Sequence, residues 1–293
     1  MIKELTIISG KGGTGKTTVT AAFAALSKQK VMTDCDVDAA DLHLILQPEV
    51  LHQESFIGGR SPVMDKELCT ECGTCQEVCR FNAVELDADQ RYRINPFACD
   101  NCALCTFACP ENAITMVDSV NGNWFISRTA YGKMVHAKLG IGEDNSGKLV
   151  TLVRQQAKKL AEDEKLSLII NDGPPGIGCP VTAAITGASL VLIVTEPTLS
   201  GIHDMERVAD LCRHFQIPVQ VCINKYSINL VNTQKIRGYC AERGIRVVGE
   251  LPFEPLVNKA LVARQNVVDY DCGAVTKVVK QMWQEVEKQL RAS

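Results

Sequence analysis

Gly10-Lys11-Gly12-Gly13-Thr14-Gly15-Lys16-Thr17 fits the pattern G-x-x-x-x-G-K-[ST]. Glycines in such a run let backbone N–H groups curl inward around phosphate oxygens. Lys16 adds a cation for the β and γ phosphates, and the Thr17 hydroxyl can ligate Mg²⁺. A second set of residues carries different chemistry. Cys69-x-x-Cys72-x-x-Cys75-x-x-x-Cys79 and Cys99-x-x-Cys102-x-x-Cys105-x-x-x-Cys109-Pro110 repeat one spacing and use eight of the 14 cysteines. Three thiolates at every third residue can wrap the corner of an iron–sulfur cubane while a fourth arrives from a distant position. C-x-x-C pairs also build Cys₄ zinc sites. Two identical four-cysteine runs fit two [4Fe–4S] clusters better.

These residues need a scaffold, and the remaining pattern supplies one. The 293 residues are 46% hydrophobic and 22% charged, the composition of a globular chain with a sizeable core. No apolar run approaches the roughly 20 residues that span a bilayer, and no secretory signal precedes the glycine loop, so the expectation is a cytoplasmic protein without stable membrane insertion. Net charge is −3, which gives no general attraction to nucleic acid, and none is expected as a partner. Short apolar runs at Leu5–Ser9, Val31–Thr33, Leu166–Ile170, Leu190–Val194, Val219–Ile223 and Val247–Leu251 alternate with helix-length stretches such as Thr18–Lys28. The alternation predicts an α/β fold with a doubly wound, mostly parallel sheet. From Asp65 to Asp118 it breaks down: ten acids face four bases there, a net −6, whereas the remainder carries +3. Residues 61–119 are therefore predicted to form an inserted domain, and 1–60 with 120–293 the nucleotide-binding domain. Asn121 to Gly147, glycine-rich and containing Trp124-Phe125, could contact either the clusters or a partner.

Lys11, a second lysine that phosphate binding does not require, makes Lys11-Gly12-Gly13-Thr14-Gly15-Lys16-Thr17 resemble the deviant Walker A signature of the MinD/ParA-like P-loop ATPases, the group that includes the nitrogenase iron protein. The resemblance implies that Lys11 reaches the nucleotide of a facing subunit in an ATP-dependent homodimer. It assigns nucleotide binding to Gly10 through Thr18, and identifies Asp36 of Asp34-Cys35-Asp36-Val37-Asp38 with the acid of the first switch that orients the attacking water. Asp36 also suits the second sphere of Mg²⁺. Leu168-Ile169-Ile170-Asn171-Asp172 resembles a Walker B strand whose Asp172 holds Mg²⁺ or its water. Gly173-Pro174-Pro175-Gly176 matches the second switch, with Gly176 near the γ-phosphate, Asn224-Lys225 the base-recognition position, and Leu251-Pro252-Phe253 the segment that closes the adenine pocket. The cysteine segment resembles bacterial two-cluster ferredoxins, which implies an inserted α+β ferredoxin domain in which the fourth cysteine of each run ligates the other cluster. That rule gives Cys69, Cys72, Cys75 and Cys109 to one [4Fe–4S] cluster and Cys99, Cys102, Cys105 and Cys79 to the other. Arg80 stands where proline is expected after Cys79.

Together these features imply an ATPase with a ferredoxin insertion, in which nucleotide-driven switch movement gates electron delivery to a redox partner. One alternative is an iron–sulfur or metal-cofactor assembly factor with an acceptor partner. Another is a positioning ATPase, which the missing basic stripe opposes. Of the other cysteines, Cys212, Cys222, Cys240 and Cys272 read as core thiols and Cys35 as unreactive between two acids. Cys179 follows the second switch and reads as a packed thiol, with a metal or redox role as the alternative. His43, His52, His136, His203 and His214 show no metal spacing. Ala274–Ala292 reads as an amphipathic helix packed on the sheet.

Overall fold

Leu5, Ile7 and Ile8 of β1 (Lys3–Ser9) are buried, as expected of a strand covered on both faces. In the computed structural model, which describes residues 2–140 and 146–292, the chain continues through α1 (Lys16–Leu26), β2 (Lys30–Asp34), α2 (Leu42–Leu46), β3 (Glu49–Met64), α3 (Thr74–Glu77), β4 (Val84–Leu86), β5 (Tyr92–Ile94) and α4 (Leu104–Ala108). It then forms β6 (Ile114–Thr129), β7 (Gly132–Leu139), α5 (Ser146–Asp163), β8 (Leu168–Pro175), α6 (Cys179–Ile185), β9 (Leu190–Thr195), α7 (Leu199–His214), β10 (Val219–Asn224), α8 (Leu230–Glu242), β11 (Arg246–Leu251), α9 (Pro255–Val262) and α10 (Ala274–Ala292). Nine strands make one sheet in the order β11-β10-β9-β1-β8-β2-β7-β6-β3. Its central pairs are parallel: β1 with β8 and β9, β2 with β7 and β8, and β10 with β9 and β11.

Contacts divide the chain into two compact units, Met1–Glu54 with Trp124–Leu139 and Ser146–Ser293, and one holding Ser55–Asn123. In the first, alternation along the strands serves two cores. Leu190, Leu192 and Val194 of β9 join Phe23 of α1 and Val279, Met282 and Trp283 of α10 on one face. Val191 and Ile193 join Val181 of α6, Met205 of α7 and Ile236 of α8 on the other. The terminal helix thus packs on the sheet, its Trp283 ring 5.1 Å from that of Phe23. No helix among the described residues is long and apolar enough to cross a membrane.

The structure differs from the sequence pattern beside the cysteine segment. β3, β6 and β7 add three strands, and much of Asn121–Gly147 lies in β6 and β7; 141–145 fall outside the described residues. On β7, His136 Nε2 lies 2.8 Å from Ser127 Oγ, and its ring stacks on Phe125 with centroids 5.0 Å apart. Burial, reinforced by repulsion from His43, lowers its pKa to about 4. The unfolded chain titrates near 6.5 and so takes up the proton first; the stability held by neutral His136 is complete above that value and lost as pH falls towards 4. Tryptophan-monitored unfolding of wild type and His136→Gln should show wild type losing up to about 3 kcal/mol more between pH 7 and 4. Equal losses would contradict this.

The second unit is a duplicated structure. α3 and α4 follow left-handed Gly73 (φ 81°) and Ala103 (φ 61°). The β4–β5 pair is antiparallel, with Val84 opposite Ile94 and Leu86 opposite Tyr92. Asp87 terminates that hairpin: its Oδ1 accepts the Asp89 and Arg91 N–H groups, each at 3.0 Å, and Lys66 Nζ donates to its Oδ2 at 3.1 Å. The Arg91 N–H, followed by Lys66, holds this carboxyl below its usual range.

Candidate nucleotide site and cysteine cavities

The glycine loop joins β1 to α1, where free helical N–H groups favour an anion. Gly13 and Gly15 have φ of +79° and +92°, and an added Cβ at Gly12 or Gly13 would meet nothing within 4 Å. Lys16 is buried, with Nζ 3.2 Å from Asp172 Oδ1 and 3.5 Å from Asp36 Oδ2. Burial works against its charged form, but Asp172, then Asp36 and Asp34, outweigh it and raise the lysine's pKa. Burial also raises the pKa of Asp36, although Lys16 opposes that change. Thr17 Oγ1 donates to Asp172 Oδ2 at 2.7 Å. Lys16, Thr17, Asp36 and Asp172 are therefore brought together from α1, the loop after β2, and β8. Thr14 Oγ1 is buried without a hydrogen-bond partner among the described residues. An orphaned hydroxyl inside a loop of left-handed glycines, beside a buried lysine, fits an incoming phosphate.

The other residues expected to bind nucleotide come from the ends of β1, β8, β10 and β11. Gly176 (φ +92°) donates its N–H to the Ser9 carbonyl at 2.9 Å, joining the second switch to the end of β1. The strand before it runs through Asp172 to Pro175, past the expected end at Ile170, because β1 continues pairing to Ser9–Pro175. Asn224 Nδ2 donates to the Thr14 carbonyl at 2.7 Å, so this side chain braces the loop. Pro252 follows β11, beside Phe253, whose N–H donates to Ser227 Oγ at 3.1 Å. Lys11 Nζ lies 3.3 Å from Ser200 Oγ of its own chain. Thr18 is in the first turn of α1 and Gly10 packs against Asp204, leaving no room for a Cβ.

Sequence reasoning missed two positioning residues. Thr20 Oγ1 donates to Asp172 Oδ1 at 2.9 Å. Asp34, fully buried, accepts the Asp36 N–H on Oδ1 and the Leu42 N–H on Oδ2, each at 3.1 Å, fixing both ends of the Asp36 loop. Burial, then repulsion from Asp172, pushes its carboxyl well above the ordinary range. A threonine four residues after the motif lysine was the available signal for the first; the second lay within the acidic switch run.

Gly15 tests the brace. Its added Cβ would stand 2.4 Å from Asn224 Nδ2 at a φ that L-residues avoid. Gly15→Ala should therefore combine about 1–2 kcal/mol of backbone strain with loss of a roughly 1 kcal/mol hydrogen bond. Calorimetric titration should find ATP binding weakened by at least about tenfold; unchanged affinity would remove Gly15 and Asn224 from the site.

In the second unit, Cys69, Cys72, Cys75 and Cys109 line one cavity, together with Met64, Tyr92 and Ile114. Cys79, Cys99, Cys102 and Cys105 line another, with Phe81, Val84 and Ile94. Each cavity thus takes three thiols from one run and the last from the other. Backbone groups are already directed at sulfur: Ala83 N–H donates to Cys79 Sγ and Ala113 N–H to Cys109 Sγ, both at 3.3 Å. Burial works against the Cys79 thiolate, yet the N–H groups of Ala83, Phe81, Val84 and Asn82 outweigh it and lower the pKa. Thr74 lowers that of Cys72, whereas burial raises those of Cys75 and Cys105. Four thiols around each apolar cavity, with N–H donors, suit a polynuclear cluster. Among the described residues no three His, Cys, Asp or Glu side chains close on a single ion position.

Elsewhere, Cys35, Cys212, Cys222, Cys240 and Cys272 are buried and Cys179 is exposed. Burial pushes Cys35, Cys212 and Cys222 up to about 12.

Residues 5–267 match the family described as the CobQ/CobB/MinD/ParA nucleotide binding domain. An uncharacterized protein of Methanocaldococcus jannaschii is 28% identical over 98% of both chains. Pyruvate synthase subunit PorD of the same organism is 36% identical over 56 residues, 19% of this chain and 65% of that one. Among solved structures, the septum site-determining protein MinD complexed with Mg-ADP from Pyrococcus horikoshii has a TM-score of 0.59 at 16% identity, covering 98% of this chain and 97% of that chain. Its likeness shows the fold, a mostly parallel P-loop sheet. With the family match extending from β1 beyond α9, the chain belongs to the CobQ/CobB/MinD/ParA nucleotide-binding family.

Proposed function

We propose that this chain is an ATP-hydrolysing switch protein carrying two [4Fe–4S] clusters, and that nucleotide state governs electron transfer to a partner. The observation that carries this reading is the pair of four-cysteine cavities in a chain that also assembles Lys16, Thr17, Asp36 and Asp172. Lys16 neutralises the β and γ phosphates, Thr17 and Asp172 hold Mg²⁺, and Asp36 orients the attacking water. Lys11 exchanges Ser200 for the nucleotide of a facing copy in an ATP-dependent homodimer. Asn224 and Pro252 flank the base. Cys69, Cys72, Cys75 and Cys109 hold one cluster and Cys79, Cys99, Cys102 and Cys105 the other; bound there, the clusters supply one-electron redox chemistry.

Chain connectivity supports coupling between the two functions. β7 pairs with β2 at His136–Asp34 and is joined through Ala130-Tyr131 to β6, whose first residue, Ile114, lines the Cys69 cavity. Movement of the Asp36 loop on phosphate release therefore has a strand path towards the cysteine segment.

Repeated anaerobic reduction and oxidation in Mg-ATP, with iron measured after each cycle, distinguishes electron transfer from cluster delivery. Wild type is expected to retain about eight irons per chain. Steady transfer of iron and sulfide to an added apo-ferredoxin would overturn the electron-transfer reading.

A further inference from the structure

The two cysteine runs provide an internal comparison because their cysteines correspond at an offset of 30 residues. Backbone geometry follows that correspondence: Asp65 N–H donates to the Ala113 carbonyl and Asn95 N–H to the Ala83 carbonyl, both at 2.7 Å. Side chains depart from it. Glu67, Thr74 and Glu77 of the first run are replaced by Phe97, Leu104 and Phe107 in the second. Phe97 and Phe107 are 88% and 87% exposed and stand two residues from Cys99 and Cys105. Exposed Leu104 and Phe81 line the same Cys79–Cys99–Cys102–Cys105 cavity, whereas Thr70, Thr74 and Glu111 line the other.

Single exposed apolar side chains need no explanation. Four around one of two otherwise equivalent cavities, with polar or acidic residues (Glu111, Glu67, Thr74 and Glu77) at all four corresponding positions, mark an interaction surface. Its setting specifies the partner's charge. From Asn95 to Pro110 the only charged side chain is Asp100, and the surrounding segment, Asp65–Asp118, carries −6. A complementary surface combines an apolar centre with a basic rim.

Resting on the redox reading above, we propose that the surface around Phe81, Phe97, Leu104 and Phe107 docks a redox protein whose apolar patch is ringed by lysines and arginines. The partner's apolar patch engages the Cys99 half of the insertion, and its basic rim faces the acids of the surrounding segment.

Cytochrome c, whose haem edge is ringed by lysines, is the probe, used with the full cluster-loaded chain under anaerobic conditions. Phe97→Ser with Phe107→Ser should weaken its affinity about tenfold while retaining the visible cluster absorbance. Leu68→Ser, an exposed apolar residue in the other run, should leave affinity within twofold. Equal binding by wild type and the double variant would overturn the proposal, as would equal weakening by Leu68→Ser. Sedimentation that shows the double variant losing dimerisation alone would assign the surface to a second copy and overturn it too. Oxidation of the reduced protein by methylene blue reads the clusters without docking. Failure there in wild type sinks the redox reading, whereas normal oxidation with unchanged cytochrome affinity sinks only the docking surface.

Discussion

Lys16→Ala is expected to slow ATP hydrolysis by about 10²–10³-fold, the effect of removing one positioned charge-stabilising donor. Lys16 is 6% exposed and faces two carboxylates of its own chain, a position that Lys11, directed at the nucleotide of a facing copy in this reading, does not fill. The substitution also has a consequence without nucleotide. Asp172 and Asp36 lose their buried counter-charge, and breaking a buried ion pair destabilises by about 3–5 kcal/mol. Phosphate-release kinetics and denaturant unfolding should therefore both respond. A rate within threefold of wild type, in folded protein, would rule out this site as the hydrolytic centre.

The second large effect concerns cluster content and separates crossed from uncrossed ligation. Cys109 lines the cavity of Cys69, Cys72 and Cys75, while Cys79 lines the other. Cys109→Ser should lower iron from about eight to about four per chain. Cys69→Ser with Cys109→Ser should keep the same four, since both changes strike one cavity. Cys69→Ser with Cys79→Ser should approach zero. Uncrossed ligation reverses the two double variants. The shared wall of Cys75, Val84 and Ile114, packed by Cys79, Cys105 and Cys109, also predicts that losing one cluster loosens the other, because ligand binding and local folding are coupled.

The residues of both sites were legible where chemistry is written in contiguous spacing. The glycine loop and the cysteine runs place their ligands through local geometry, and the central strands declare themselves by apolar runs such as Leu190–Val194. β3 was not legible: its Glu49–Phe56 half includes His52, Gln53 and Glu54 and exposes every residue before Phe56, so pairing rather than burial periodicity defines it. Asn171 illustrates a similar limit. Its Nδ2 donates to Glu4 Oε1 at 2.7 Å and its Oδ1 accepts from Thr33 Oγ1 at 2.7 Å, joining β8 to β1 and β2. Glu4 also accepts from Arg154 Nε at 2.7 Å, and that guanidinium donates to the Ala183 carbonyl of α6. None of these partners is adjacent in sequence, so their network becomes visible only in the folded sheet. The Lys11–Ser200 contact, spanning 189 residues, is hidden for the same reason.

A redox titration followed by EPR, performed without nucleotide, with Mg-ADP and with a non-hydrolysable Mg-ATP analogue, tests the coupling most directly. If ATP and electrons are linked, the analogue should shift a cluster midpoint by about 60 mV or more relative to Mg-ADP, one decade in a one-electron equilibrium. Reciprocity then requires reduction to change analogue affinity about tenfold. Identical midpoints and spectra in all three states, with affinity independent of cluster oxidation, would contradict the coupling.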